Sequence, residues 1–248
     1  MSAPRLRETI IDCLSELQSD SDEVQQKALQ TLASITKVSP QNRSLLAQTD
    51  GAISTLLELS ESSSTIIQTL SLSILFNLSL NPDLKLSLAE METIHLLNAV
   101  IESPASPESS KLASSLICSL AMLDKNKAKF GVASTIQLLV KEVSAPNGPA
   151  GHHLLSCLAE LVHFHGNCTL AVRSEAVTIL IQVIGNTETE DLAGTSLGRS
   201  WSSCKEGAAE ILIRLFDESE GCVRDALRLS ESSSVLADPF NQGISYSS

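Results

Sequence analysis

The chain has 248 residues with 29 acidic against 17 basic side chains, a formal net charge of −12, and only 3% aromatic residues. That balance argues against a nucleic-acid backbone as the main partner and against an anionic membrane surface; it either favours a basic peptide or protein partner or merely keeps the chain soluble. At 43% hydrophobic residues the chain can bury a sizeable core, which must be built from Leu, Ile, Val and Ala.

Taken in chain order, three landmarks recur with a period near forty-two residues. The apolar ends of the long segments are Ile35, Leu78, Leu120 and Leu161, in steps of 43, 42 and 41. The pairs that open each unit are Asn42-Arg43, Leu84-Lys85, Asn126-Lys127 and Asn167-Cys168, in steps of 42, 42 and 41. The first branched residues of the middle segments are Ile10, Ile53, Ile94, Ile136 and Val177. A period of this length with helical patterning predicts stacked helical repeats, each burying its apolar face against its neighbours.

The spacing predicts a partial first unit over 1–41 that lacks its opening helix. Full three-helix units follow at 42–83, 84–125 and 126–166. A fifth unit at 167–217 carries an insertion at 185–203, because Leu161 to Leu215 spans 54 residues. The opening of an incomplete sixth unit falls at 218–229, and the Ser-rich, aperiodic stretch 230–248 is expected to be a disordered tail. Within a unit the middle helix repeats apolar residues at i, i+3 and i+4: Ile53, Leu56, Leu57; Ile136, Leu139, Val140; Val177, Leu180, Ile181. The longer third helix, 66–79 in the second unit, carries Leu70, Ile74, Leu75 and Leu78. Ser-, Pro- or Gly-containing loops at 60–64, 103–110 and 144–148 separate the second and third helices.

The six cysteines include no C-x-x-C pair, and Cys118 and Cys157 sit in apolar helical runs as small hydrophobes, which fits a reducing compartment. The N-terminal stretch shows no apolar secretory core, and no apolar run approaches the roughly 18 residues of a membrane span. A soluble protein of the cytoplasm or nucleus, without membrane insertion, is expected.

Three helices in about forty-two residues resembles the armadillo repeat more closely than the two-helix HEAT repeat. The strings Asn42-Arg43-Ser44-Leu45-Leu46-Ala47-Gln48-Thr49-Asp50-Gly51-Ala52-Ile53 and Ile74-Leu75-Phe76-Asn77-Leu78-Ser79 are similar to plant armadillo-repeat proteins, in particular to the armadillo region of plant U-box proteins. So is Lys205-Glu206-Gly207-Ala208-Ala209-Glu210-Ile211-Leu212. The resemblance implies an all-α fold: a right-handed α-solenoid of about five armadillo repeats, whose third helices line a concave partner-binding face. No stretch resembles a U-box, so ligase activity is not carried over. The Trp and Asn ladder of nuclear-import receptors is reduced to Asn77, so recognition of a nuclear localisation signal is not expected.

Aligned through the period, the inward ladder one line deep is Ser34, Asn77, Ser119, Glu160 and Arg214. One turn earlier it is Gln30, Ser73, Ser115, Ser156 and Glu210. Two turns earlier it is Gln26, Thr69, Lys111, His152 and Glu206. These mostly short polar side chains suit hydrogen bonding to an extended backbone. Arg199 and Trp201 in the insertion form a second candidate contact, with Trp201 alternatively covering the last repeat.

The order C-x5-H-x-H-x2-C formed by Cys157, His163, His165 and Cys168 does not bring four ligands together, so no metal site is expected. No phosphate-cradling loop, nucleophile elbow or zinc-protease motif occurs, so neither a cofactor nor an enzymatic activity is expected. Ser39-Pro40, Ser103-Pro104 and Ser106-Pro107 are placed in loops as candidate targets of a proline-directed kinase. The expected function is a non-catalytic scaffold for a protein or peptide. The rivals are a substrate-recognition component of U-box-type ubiquitin ligation and an adaptor that dimerises through its open C-terminal end; a monomer or weak dimer is expected.

Overall fold

The computed structural model of the chain describes residues 3–144, 151–185 and 196–218, with side chains omitted at Ala3 and over 196–203. Among the described residues there are α-helices, one 3₁₀ turn and no strand. The chain divides into two compact units, Met1–Lys129 and Phe130–Ser248, with the boundary inside one helix. The acidic start of the insertion (186–191), the predicted sixth-unit opening beyond Glu218 and the predicted tail lie outside the described residues.

In the first unit, α1 (Ala3–Glu16) and α2 (Asp22–Val38) form a two-helix start. The second repeat is α3 (Pro40–Ala47), α4 (Ala52–Ser60) and α5 (Thr65–Ser79). The third opens with a 3₁₀ turn, Pro82–Leu84, running into α6 (Lys85–Leu88), then α7 (Met91–Glu102) and α8 (Pro107–Ala121). The fourth repeat opens with α9 (Asp124–Val132), in which the unit boundary falls. The second unit continues with α10 (Thr135–Val143), α11 (Gly151–Leu161), α12 (His165–Arg173), α13 (Ala176–Gly185) and α14 (Ser196–Glu218).

The long third helices carry the packing. In the first unit α5 lies against α2 on one side and α8 on the other, and rests on α4. Its Leu72, Ile74, Leu75 and Leu78 are fully buried. Each such side chain contributes about 1.5–3 kcal/mol by leaving water. In the second unit α14 packs on α11 and α13. Phe130, the largest fully buried side chain among the described residues, belongs to the same unit.

The Asn that opens a repeat has a specific task. The last carbonyls of a helix lack intrahelical donors. Asn42 Nδ2 donates to Ile35 O, Asn126 Nδ2 to Leu120 O and Asn167 Nδ2 to Leu161 O, each at 3.0 Å. The next residue serves the following carbonyl in two repeats: Arg43 Nε donates to Thr36 O at 3.0 Å, and the Cys168 thiol donates to Val162 O at 2.8 Å. The third repeat has Leu84 at this position and no amide to offer. There the opening helix shrinks to the 3₁₀ turn and the four-residue α6.

Two Ser-Pro pairs expected in loops are helix starts. Ser39 caps α3 by accepting from Asn42 N–H at 3.2 Å, and Ser106 caps α8 by accepting from Ser109 N–H at 3.1 Å. Proline at the first helical position has no N–H to leave unsatisfied, which is why Pro40 and Pro107 follow these caps. The second part of the predicted insertion also differs. The backbone from Ser196 is already helical, so Arg199 and Trp201 lie on the lengthened α14 and not in a loop.

Candidate functional site: the third-helix faces

In the first unit the predicted ladder divides into two kinds of residue. Asn77 and Ser119 are buried and spend their polar groups on the stack. Asn77 Nδ2 donates to Thr36 Oγ1 of the preceding third helix at 3.1 Å. Ser79 Oγ donates to Ser119 Oγ at 2.8 Å, and Ser119 Oγ donates back to Ser79 O at 3.2 Å. Gln30, Ser34 and Lys111 are exposed, while Gln26, Thr69, Ser73 and Ser115 are half-buried. Ser34 Oγ donates to Gln30 O at 2.9 Å, Thr69 Oγ1 and Ser109 Oγ share a bond at 3.3 Å, and Lys111 lies 3.6 Å from Glu108. The open line of the face therefore runs through Gln30, Ser73 and Ser115, one turn before Asn77.

The same face holds apolar residues outside the predicted ladder. Leu70 and Phe76 on α5, with Leu112 and Cys118 on α8, are half-buried beside Ser73 and Ser115. Leu80 and Met122, at the ends of α5 and α8, are 46% and 66% exposed. Leu70 and Leu112 are 42 residues apart, as are Phe76 and Cys118, and Leu80 and Met122. The signal was present in the period. The ladder takes every fourth residue, and these apolar rows fall one and three places on. The face offers hydroxyl groups flanked by rows of aliphatic and aromatic surface, a mixture suited to a peptide backbone with apolar side chains.

The second unit presents a more charged face. His152, Ser156 and Glu160 on α11 are half-buried; Glu206 and Glu210 on α14 are exposed and Arg214 is half-buried. Ser156 Oγ donates to His152 O at 2.9 Å, and the His152 and His153 rings lie 5.4 Å apart. Arg214 Nε donates to Val162 O at 3.2 Å, which turns its side chain along α11. A cleft of about 170 Å³ opens between α11 and α14 over Val162 and Ile211, with His163, Glu210, Arg214 and Asp217 on its rim. The side chains of Arg199 and Trp201 lie outside the described residues.

Among the described residues, no group of three or more His, Cys, Asp or Glu is arranged to hold a metal ion. His163 and His165 are exposed whereas Cys157 and Cys168 are buried. His165 Nδ1 meets Glu218 Oε2 at 2.8 Å. Burial pushes the Cys204 thiol up from its ordinary pKa. Burial, with the nearby Glu16 and Asp12 carboxylates, does the same to Cys13. Both thiols are held in the protonated, unreactive form at neutral pH. Among the described residues no single helix is long and apolar enough to cross a membrane. The bent pair α12–α13 passes that test jointly, yet it spends Ala171, Ala176, Val177, Leu180 and Ile181 inside the second unit.

Solved structures resemble this chain over nearly its whole length. Computationally designed armadillo repeat proteins for modular peptide recognition match with a TM-score of 0.73 at 16% identity, covering 94% of this chain and 90% of theirs. A designed armadillo repeat protein in complex with the peptide (KR)4 matches with a TM-score of 0.66 at 16% identity, covering 93% and 98%. The fold is the armadillo fold. Among curated proteins, the U-box domain-containing protein 8 of Arabidopsis thaliana is 28% identical over 205 residues, covering 80% of this chain. The chain spans 54% of that relative's length, about half. No family model matches. The armadillo chain thus resembles a plant U-box protein, as the opening strings Asn42-Arg43 and Ile74-Leu75-Phe76-Asn77 implied.

Proposed function

We propose that the chain is a non-catalytic protein-binding scaffold that holds an extended segment of a partner across its third-helix faces. The observation that carries this is the α5–α8 face, where Ser73 and Ser115 stand one repeat apart between paired apolar residues. A partner backbone crossing the helices would meet a hydroxyl and an apolar contact at each repeat. The designed relatives described as recognising peptides support the reading. The net charge of −12 favours a basic partner, to which long-range attraction adds. We place the protein in the cytoplasm or nucleus, supported by Cys13, Cys118, Cys157, Cys168 and Cys204 being unbridged.

The test is a comparison of interactors recovered from native extract. Ser73→Arg/Ser115→Arg fills the α5–α8 face with bulk and charge; Ser54→Arg, on the exposed side of α4, is the control. The double variant should lose partners that the wild type and the control retain, with unchanged helical content. Identical partner sets for all three would overturn the proposal. A second reading follows from the resemblance to a U-box protein: the scaffold selects substrates for ubiquitin ligation. It requires that partners retained by the α5–α8 face become ubiquitinated in the cell, and that the double variant spares them.

A further inference from the structure

The three Ser-Pro pairs are alike in sequence and unlike in structure. Ser39 is the single residue between α2 and α3, and its hydroxyl accepts from Asn42 N–H. Ser106 is half-buried; its hydroxyl accepts from Ser109 N–H and bonds Ser109 Oγ at 3.0 Å, and Pro107 is already in α8. Both hydroxyls belong to helix caps. A kinase acting on either would have to unwind a helix to bring the residues around the serine into its cleft.

Ser103 differs on each count. It follows the last residue of α7, and the linker 103–106 separates it from α8. Ser103, Pro104 and Ala105 are all exposed. Only its backbone N–H is engaged, with Ala99 O at 2.9 Å, and its hydroxyl makes no hydrogen bond among the described residues. Pro104 disfavours the helical conformation at Ser103 and removes the N–H that could lock the linker.

We infer that Ser103 is the phosphoacceptor of this chain for a proline-directed serine kinase, and that Ser39 and Ser106 are structural caps. In the transfer, Ser103 Oγ attacks the γ-phosphorus of a nucleoside triphosphate. The bond from that phosphorus to the bridging oxygen breaks, the hydroxyl proton passes to the kinase's base, and the nucleoside diphosphate leaves. The product sets a charge of about −1.5 to −2 against the carbonyl end of α7, beside Glu102, where a negative charge loosens the helix's last turn.

The experiment treats the folded full chain with a cyclin-dependent-type kinase and Mg-ATP and maps phosphate by mass spectrometry. A peptide of residues 99–111 serves as the unfolded comparison. Phosphate should accumulate on Ser103 in the folded chain, Ser103→Ala should reduce incorporation at Ser-Pro sites at least tenfold, and Ser106 should be modified only in the peptide. Phosphate mainly on Ser39 or Ser106 of the folded chain, or none on Ser103, overturns the inference, whatever the peptide shows.

Discussion

At the scale of single residues, the repeat is held by amides that bond the last carbonyls of the third helices. Asn167 shows this most sharply. Its Nδ2 serves Leu161 O, and its Oδ1 stands too close to Gly131 to leave room for a Cβ there. Two helices therefore approach closely because one carries glycine and the other an amide. Asn167→Ala should cost about 0.5–1.5 kcal/mol by removing this buried hydrogen bond, while Leu161 O keeps the bond from Phe164 N–H. Gly131→Ala should cost about 1–3 kcal/mol by overpacking. In the Asn167→Ala background the same glycine change should cost much less, since the opposing oxygen is gone and Ala favours a helix. Chemical denaturation of the four proteins checks this, and strictly additive costs would remove the proposed contact. The cysteines give a pH prediction of known sign. Cys13 and Cys204 have folded pKa values raised above the ordinary 9.0. Their neutral forms are favoured by folding, so this stability is complete below pH 9 and fades as pH rises through the folded values. The thermal midpoint should fall less steeply above pH 9 in Cys13→Ala/Cys204→Ala than in wild type. Parallel curves would show that the thiols do not contribute.

At the scale of elements, one joint recurs. In the second, fourth and fifth repeats the turn from the first to the second helix passes through a left-handed residue, Gly51 at φ 75°, Ser134 at φ 61° and Glu175 at φ 62°, whereas Ala89 in the third keeps φ at −89°. Glycine takes that conformation freely, whereas a residue with a Cβ is strained by about 1–2 kcal/mol. Glu175→Gly should therefore raise stability by about 1 kcal/mol. Gly51→Ala should lower it although nothing lies within 4 Å of the added methyl. Differential scanning calorimetry reads both, and a loss on Glu175→Gly would mean that its side chain does more than tolerate the turn. These joints also show what the sequence could disclose. Ile35, Leu120 and Leu161 keep step with Asn42, Asn126 and Asn167 because each pair is one hydrogen bond, so the period is legible. The short opening of the third repeat is not, because Leu84 keeps the period although it lacks the amide. Ser39-Pro40 and Ser106-Pro107 resembled turns because caps and turns draw on the same residues. The candidate faces follow from the period, but which of their residues stay open does not. Asn77 and Ser119 are as polar as Ser73 and Ser115, and only packing shows that the first two are spent inside the stack.

At the scale of the whole molecule, charge is the unbalanced quantity. The chain carries −12, and its carboxylates are not all answered by neighbours. In the first unit, Glu58, Glu61 and Glu92 rim a groove of about 320 Å³ between α4 and α7, and none of their three carboxylates forms an ion pair or hydrogen bond among the described residues. Like charges held at such spacing repel, and folding brings them closer than the unfolded chain does. Screening at 0.15 M salt reaches about 8 Å, enough to damp this repulsion at an exposed groove. The ion pairs seen are mostly exposed partners such as Lys111–Glu108 and Lys141–Glu142, each worth at most about 1 kcal/mol. Repulsion therefore outweighs attraction, and salt should stabilise the protein. Raising sodium chloride from 0.02 to 0.3 M should lift the thermal midpoint by about 2–4 °C, the shift that about 1 kcal/mol makes at this size. Glu61→Lys should capture part of that gain at low salt and flatten the dependence. The same uncompensated field is what would draw a basic partner towards the scaffold, so the two effects should diminish together as acidic residues are removed. A midpoint that falls with salt would mean that paired charges dominate after all, and electrostatic steering would then lose its physical basis in this chain.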